Sequence, residues 1–331
     1  MIGVNYPWRR YGGDFGPTVW GTHHGVTTAE PEIAADLAAM ATCGVEVARW
    51  FLFTDGRGGV RIDAAGWPAG IDPRAFADLD LALALAAAHG LRLVPVVFDH
   101  PLAFRASVAG SARVGGHGRW LADPEGQARV LDLVLTPLLA RYGPGGERAD
   151  LGAAVHAWDL LNEPDWIVAE LHPSPRVERP LPFDVFAAWL REATARVHAH
   201  GGLATVGGAR LRFARWWDDP ALGLDFLQAH CYYDPDHDFD LLTTPATTLG
   251  LTRPLIVAEC AGQGDPADAA RGRPPLDVGA LDRAARHNGY LGAWPWSWRG
   301  VDGHGAVARD TLRRRADEMR DGTVSGPAPG R

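Results

Sequence analysis

Strand-like and helix-like segments alternate about eight times along this 331-residue chain. Each short apolar run is followed by a segment whose apolar residues recur with helical spacing. This alternation predicts parallel strands joined by crossover helices, and eight such units predict an α/β fold, a single-domain (β/α)8 TIM barrel. The predicted strands cover residues 2–5, 45–53, 91–98, 154–161, 203–206, 226–232, 255–259 and 291–296.

The helical segments are less regular than the strands. The fifth and sixth units are the weakest, because only short segments at 213–217 and 241–249 follow their strands. A doubly wound open sheet is the alternative, but no glycine-rich loop follows the first strand, which favours the barrel. The barrel is predicted to span residues 1–312, with 313–331 completing a last helix and then forming a disordered tail. The main predicted helices cover residues 30–42, 73–89, 124–142, 182–200 and 276–287.

Charge and composition argue against several classes of partner. The net charge is −8, and all 32 basic residues are arginines dispersed among 40 acids, which argues against a nucleic-acid partner. The most apolar helical segment, 79–88, contains Asp80 and is far too short to span a bilayer, so no membrane role is expected. The chain begins with a strand pattern rather than a basic leader and an apolar run, so a cytoplasmic protein is expected unless a leader was removed.

The sequence contains no recognisable metal-binding pattern. Cys43, Cys231 and Cys260 show no CxxC spacing, so neither a disulfide framework nor a zinc site is predicted. His23 and His24 follow the first strand, but no acid stands at a ligand-like spacing from them, which favours a role at the rim of the barrel. No metal and no cofactor are therefore expected, and the sequence leaves the oligomeric state open.

Two of the predicted strands end in a glutamate. Residues 160–164 read Leu-Leu-Asn-Glu-Pro and put Glu163 at the end of the fourth strand, while Glu259 closes the seventh. The carboxyl ends of barrel strands meet at one rim, where active sites of such folds lie. Two carboxyl groups on either side of a glycosidic bond are what glycoside hydrolysis requires. A glutamate before proline is also common in turns, so only the pair indicates catalysis.

Other strand ends carry polar or aromatic side chains. Six of the eight predicted strands deliver such residues to the rim, which a purely structural barrel has no reason to do. A buried ion pair for the arginine and core positions for the histidines remain alternatives. The additional candidates are Arg49 after the second strand, His100 after the third, Asn162 after the fourth, His230 and Tyr232 after the sixth, and Trp296 after the eighth.

In their order and placement these motifs resemble those of the retaining glycoside hydrolases of clan A, most closely glycoside hydrolase family 5, the cellulase and β-mannanase family. The resemblance extends over residues 3–298 and departs from the family pattern in the short fifth and sixth helical units and in Pro295. It implies that Glu163 is the acid/base and Glu259 the nucleophile. It also implies supporting or substrate-binding roles for Arg49, His100, Asn162, His230, Tyr232 and Trp296.

The chemistry of double displacement sets expectations for the two acids. Retaining glycosidases hold their carboxyl groups about 5–5.5 Å apart, so that one attacks the anomeric carbon while the other protonates the leaving oxygen. We expect Glu259 to be ionised, with Arg49 and Tyr232 as its hydrogen-bond partners. We expect Glu163 to be protonated, because a neighbouring carboxylate in a partly apolar cleft raises its pKa.

The expected substrate is a β-linked oligosaccharide or small glycoside, a β-mannoside or a β-glucoside. Asn162 is expected to hold the 2-hydroxyl of the sugar, and Trp296 to stack beneath the ring at the point of cleavage. The alternatives are a transglycosylase on the same scaffold and a sugar-binding barrel without catalysis, which the presence of both glutamates disfavours. A metal-dependent hydrolase is disfavoured because no His-x-His motif follows the first strand.

Overall fold

A computed structural model describes residues 1–232, 241, 243–263, 277–303 and 305–321. Eight strands form one sheet whose order follows the chain, and neighbouring strands are parallel. The sheet curves until its ends meet, where the Trp298 amide donates to the Asn5 carbonyl over 2.8 Å. The predicted (β/α)8 barrel is confirmed. Its strands are β1 (Gly3–Asn5), β2 (Val47–Phe51), β3 (Arg92–Asp99), β4 (Trp158–Asn162), β5 (Ala204–Gly208), β6 (Leu227–Cys231), β7 (Leu255–Ala261) and β8 (Ala293–Trp296).

The helices lie between the strands and follow the predicted segments closely. The first matches its predicted bounds, and the predicted helix at 124–142 is two helices joined by a π-helical turn at Leu131–Leu135. The boundary predicted after residue 312 falls inside the last helix, and the tail predicted beyond it lies, from residue 322, outside the described residues. The helices are α1 (Glu30–Thr42), α2 (Pro73–Ala88), α3 (Arg119–Ala122), α4 (Pro124–Val130), α5 (Thr136–Tyr142), α6 (Ala149–Gly152), α7 (Phe183–Ala199), α8 (Ala214–Trp217), α9 (Val278–His287) and α10 (Arg309–Arg320).

The fifth and sixth units are short, as the sequence predicts. Among the described residues of the two segments that were expected to be weak, the helical structure is the end of a 3-10 turn at Leu211–Phe213, the one-turn helix α8 and a 3-10 turn at Ala246–Leu249. Among the residues that the structure describes, no helix combines the length and the apolar character needed to cross a membrane.

Strand β4 begins at Trp158, later than the predicted start at residue 154. The amides of Ala154 and Val155 donate to the carbonyls of Leu151 and Gly152 and so close the turn after α6. This segment contacts β3 only through an isolated parallel bridge, in which the Leu93 amide donates to the Ala154 carbonyl and the His156 amide to the Leu93 carbonyl, each over 2.7 Å. The regular pairing of β4 therefore begins only at Trp158.

Side chains fill the barrel interior in layers. Because alternate residues of a strand point to the same face, Val47 and Arg49 of β2 occupy successive layers inside the barrel. The lower layer is apolar and includes Trp294, which lies so close to β1 that a Cβ added at Gly3 would be 2.4 Å from its Nε1. The upper layer is polar and includes Arg49 and Asp159, both fully buried. The polar layer lies at the carboxyl ends of the strands, directly below the rim.

Two hairpins and the loop after β1 form part of the rim. One hairpin, Val60–Ile62 with Pro68–Ile71, follows β2, and a second, Ser107–Ala109 with Ala112–Val114, follows β3. The second hairpin is joined to the loop after β1 through the Trp20 indole, which donates to the Ala109 carbonyl over 2.8 Å.

Candidate active site

The two glutamates meet at the rim. One oxygen from each of the Glu163 and Glu259 carboxylates and a ring nitrogen of His230 all lie within 4.8 Å of one another. The side chains of Glu163 and Glu259 are only 17% and 6% exposed. Two acids that are distant in sequence are thus close together and largely removed from water.

Glu163 is placed by a tight turn at the end of β4. Its φ of 51° lies in the left-handed region, which a residue other than glycine seldom adopts. Its amide donates to the Gly207 carbonyl of β5 over 2.6 Å, and Pro164 then begins a 3-10 turn that ends the strand. The hydrogen bond to β5 therefore holds this backbone turn next to the barrel wall.

Arg49 connects the acids to the floor of the site. Its guanidinium is completely buried and donates over 2.6 Å to both the Glu259 carboxylate and the Asn162 amide oxygen. It also forms an ion pair with Asp159 at 2.9 Å. The Tyr232 hydroxyl donates to the other oxygen of Glu259 over 3.0 Å. Arg49 and Tyr232 are therefore the hydrogen-bond partners of Glu259, as expected from the sequence.

Both predicted histidines face the acids. Nδ1 of His230, which is fully buried, lies 2.9 Å from a Glu163 oxygen and 3.5 Å from a Glu259 oxygen. Nδ1 of His100 lies 2.9 Å from Asp99 and 3.4 Å from the other oxygen of Glu163. Each ring is thus within reach of a carboxylate rather than packed in an apolar core.

These histidines change the expected protonation of the acids. Burial acts to raise the pKa of Glu163, but the hydrogen bond from His230 and the positive charges of His230 and His100 outweigh it, and the pKa falls to about 2. Burial also raises the pKa of Glu259, where it prevails over the charges of His230 and Arg49. The prediction that the pKa of Glu163 is raised is therefore wrong. It took account of the neighbouring carboxylate but of neither histidine.

Trp296 and Asn162 both lie at the carboxyl ends of their strands. Trp296 is 6% exposed and packs edge-to-face against Trp8 and Phe51, with ring centroids 5.5 and 5.8 Å apart. The Asn162 side chain accepts from Arg49 and donates to Asp99 over 2.9 Å. Its orientation is thus fixed by two charged neighbours before any substrate binds.

Sequence reasoning missed the polar layer beneath the acids. Asp159 accepts hydrogen bonds from Arg49 and from Gln228, the latter over 3.0 Å. Asn5 donates to the Ala258 carbonyl over 2.7 Å and thereby joins β1 to β7. The available signal was a polar residue inside an otherwise apolar strand, since such a residue must find a buried partner.

Trp166, a tryptophan of the rim loops, lies in the turn that follows Glu163 and contacts the acid. Its indole N–H donates to the Glu163 carboxylate over 3.0 Å. The guanidinium of Arg210, beyond the end of β5, lies 4.0 Å from the centre of the Trp166 ring. Trp166 therefore adds a donor to the acid, and Arg210 covers one face of its ring.

Metal binding is a weak interpretation of the acid cluster. Glu163, His230 and Glu259 have the spacing of metal ligands. The Arg49 guanidinium, however, is 2.6 Å from Glu259, so a divalent cation there would meet a buried positive charge. Nε2 of His23 lies 2.8 Å from the buried Asp78 of α2 and so ties the loop after β1 to that helix.

Comparison with known proteins gives a consistent result for the fold. No protein-family model matches the chain, and no curated protein matches it. A β-1,4-D-mannanase from Cryptopygus antarcticus superposes with a TM-score of 0.76 and 17% identity over 96% of this chain and 89% of that one. The fold is that of the β-mannanases.

Two further solved structures, another mannanase and a mannosidase, share the fold. An endo-1,4-β-mannanase from Eisenia fetida has a TM-score of 0.75 and 21% identity over 100% of this chain and 93% of that one. A glycoside hydrolase family 5 mannosidase from Rhizomucor miehei has a TM-score of 0.57 and 13% identity over 96% and 93%. At such identities the likeness to β-mannanases is one of fold.

Proposed function

We propose that this protein is a retaining β-glycoside hydrolase of the family 5 type that cleaves a β-linked oligosaccharide or small glycoside. The substrate class that we favour is the β-mannosides. The observation that carries the proposal is the pair of buried carboxylates, with oxygens within 4.8 Å, at the rim of a barrel with the β-mannanase fold. This separation fits the roughly 5–5.5 Å of retaining enzymes better than the roughly 6.5–9.5 Å of inverting ones. The mannanases and mannosidase among the similar structures favour the β-mannoside over the β-glucoside.

In the first step Glu259 attacks the anomeric carbon while the bond to the leaving oxygen breaks. Arg49 and Tyr232 aim the attacking carboxylate, each through a hydrogen bond to a different oxygen. Glu163 gives the leaving oxygen its proton, and a covalent glycosyl ester forms on Glu259. In the second step Glu163 takes a proton from water, which displaces Glu259 from the sugar.

The low pKa of Glu163 favours its ionised form in the resting site, and this form is the base that the second step requires. For the first step the carboxylate must take up a proton before the leaving oxygen can receive it. Nδ1 of His230 lies 2.9 Å from a Glu163 oxygen, within hydrogen-bond reach for proton exchange with the acid.

The direct test is hydrolysis of a panel of aryl β-glycosides that differ only in the sugar. We expect the highest kcat/KM on the β-mannoside, and NMR of the first-formed product should show retained anomeric configuration. An inverted product would contradict the assigned mechanism, and binding of manno-oligosaccharides with no turnover would indicate a sugar-binding barrel.

Variants of the two acids test their separate roles. Glu163→Ala should retain activity on glycosides with a good leaving group, because such groups leave without protonation. Glu259→Ala should lose activity on activated and unactivated glycosides alike. The measurement is kcat on a dinitrophenyl and on an alkyl β-mannoside, and equal losses for both variants on both substrates would overturn the assignment.

A further inference from the structure

A groove leads from the acids to a second cavity in the rim. The first part, about 460 Å³, is lined by His100 and Trp166, which both contact Glu163. The second part, about 250 Å³, lies between the loops after β1, β2, β3 and β4. The two parts adjoin, because they share the lining residues Tyr11, Pro101, Phe104 and Arg176.

Arginines dominate the charge of the second cavity. Arg57, Arg105 and Arg176 line it, and among the described residues that line it the one acid is Asp55, which is paired with Arg57 at 2.6 Å. Within the described parts of the chain, no carboxylate lies within ion-pair distance of Arg105 or Arg176. Two uncompensated cations therefore meet at one cavity of a chain whose net charge is −8.

Aromatic rings hold two of these arginines in place. The guanidinium of Arg176 lies 4.5 Å from the centre of the Phe104 ring, and that of Arg57 lies 4.5 Å from the centre of the Tyr11 ring. The Arg105 amide donates to the Arg176 carbonyl over 2.8 Å, which joins the loops after β3 and β4. The cavity thus combines oriented guanidinium groups with aromatic surface.

We propose that this cavity, the arginine subsite, binds a sugar unit that carries an anionic group, a carboxylate or a phosphate, so that the natural substrate is an acidic β-glycoside. The inference rests on the proposed function and specifies its substrate class. Guanidinium groups bind carboxylate and phosphate with paired, charge-assisted hydrogen bonds, and aromatic rings stack on the apolar faces of sugars. Arg105 and Arg176 are exposed, so an anionic group would form ion pairs there that a neutral sugar cannot form.

The test is binding of matched trisaccharides by calorimetry. The probes are β-1,4-mannotriose and versions that carry a carboxylate or a phosphate at C6 of either terminal sugar. The Glu163→Gln variant of the full chain is used so that no probe is cleaved. At least one anionic probe should bind about tenfold tighter than mannotriose, equivalent to about 1.4 kcal/mol, and the preference should weaken in 0.5 M salt. The carboxylate and phosphate versions distinguish the two possible anionic groups.

Arginine variants in the same background locate the effect. Arg176→Gln and Arg105→Gln should each reduce the advantage of the anionic probe to about twofold or less while leaving the affinity for mannotriose unchanged. Arg191→Gln, an exposed arginine on α7, is the matched control and should retain the full preference. Three outcomes would overturn the proposal. Mannotriose could bind as tightly as every anionic probe, or none of the probes could bind. The preference for the anionic probe could also survive both arginine variants. Hydrolysis of neutral aryl β-glycosides reports on the proposed function separately.

Discussion

At the scale of single residues, the charge balance of the site depends on Arg49. This buried guanidinium is shared between two carboxylates, Asp159 below it and Glu259 at the rim. Because both pairs are buried, the interaction of Arg49 with Glu259 is only weakly screened by solvent. Asp159 therefore offsets part of the charge that would otherwise stabilise the ionised form of Glu259.

Replacement of Asp159 by asparagine should change the pH dependence of kcat/KM. In Asp159→Asn the uncompensated Arg49 charge lowers the pKa of Glu259, so the acidic limb of kcat/KM should move to lower pH by about one unit. The measurement is kcat/KM on an aryl β-mannoside between pH 3 and 7, with the exposed Asp150→Asn as the control. A lower melting temperature with an unmoved limb would show that Asp159 only supports the fold.

Trp296 packs in the core of the rim and is also expected to stack on the sugar. Trp296→Ala should cost about 2–4 kcal/mol of transition-state stabilisation, because the ring that we expect to stack under the sugar is lost. Its packing against Trp8 and Phe51 means that the melting temperature should fall as well. The experiment measures kcat, KM and melting temperature, with the half-exposed Trp216→Ala as a control for tryptophan loss. Unchanged kinetics with a large drop in melting temperature would make Trp296 a core residue.

At the scale of elements, the junction of β1 with β8 depends on a glycine. Trp294 of β8 is 1% exposed and fills the space in which a side chain at Gly3 of β1 would lie. Neither strand can move away without loss of the contacts that close the barrel. The absence of a side chain at position 3 is therefore a requirement of the closure rather than of the backbone conformation.

Gly3→Ala should destabilise the protein by about 1–3 kcal/mol, as overpacking of a rigid core does. Gly13→Ala is the matched control, because a Cβ there would meet its nearest neighbour at 3.5 Å, an ordinary contact. Urea denaturation of the two variants gives the free energies of unfolding. Equal stabilities would show that Trp294 can shift and that the junction is looser than the contacts indicate.

At the scale of the whole molecule, stability depends on acids that are buried when the chain folds. Asp165 lies just beyond the left-handed turn at Glu163, and burial is the main reason that its pKa rises to about 6, despite a hydrogen bond from the Ala209 amide over 2.7 Å. Its pKa in an unfolded chain is roughly 3.9. Because the folded value is higher, its contribution to stability is complete below about pH 4 and is lost as the pH rises through about 6.

Asp165→Asn removes this titration. The free energy of unfolding of the variant relative to the parent should increase by about 2–3 kcal/mol between pH 4 and pH 7.5. Other acids titrate in both proteins, so the difference isolates Asp165. Urea denaturation at four or five pH values across this range is the measurement, and a difference that does not change with pH would contradict the assigned burial cost.

The sequence by itself determined the elements and the candidate acids, because both depend on local patterns. The alternation of short apolar runs with helical segments has only one common architecture when it repeats eight times. Glu163 directly follows β4, and His230 and Tyr232 lie at the end of β6, as the rule for strand ends predicts. Two predicted positions were wrong, because the strands extend further than their apolar patterns indicate. Glu259 lies two residues before the end of β7 rather than closing it, and Arg49 lies in the middle of β2 rather than after it. A pattern of period two also separates the inner face of a strand from the outer one.

Only the tertiary structure decided how these groups act on one another. The pKa values of Glu163 and Glu259 depend on distances to His230, His100 and Arg49, which are set by the curvature and register of the barrel and by a left-handed turn at Glu163. The arginine subsite likewise combines loops that follow four different strands. Electrostatic interactions fall off over a few ångströms, so they are fixed by the contact geometry of residues far apart in the chain, which local sequence patterns do not encode.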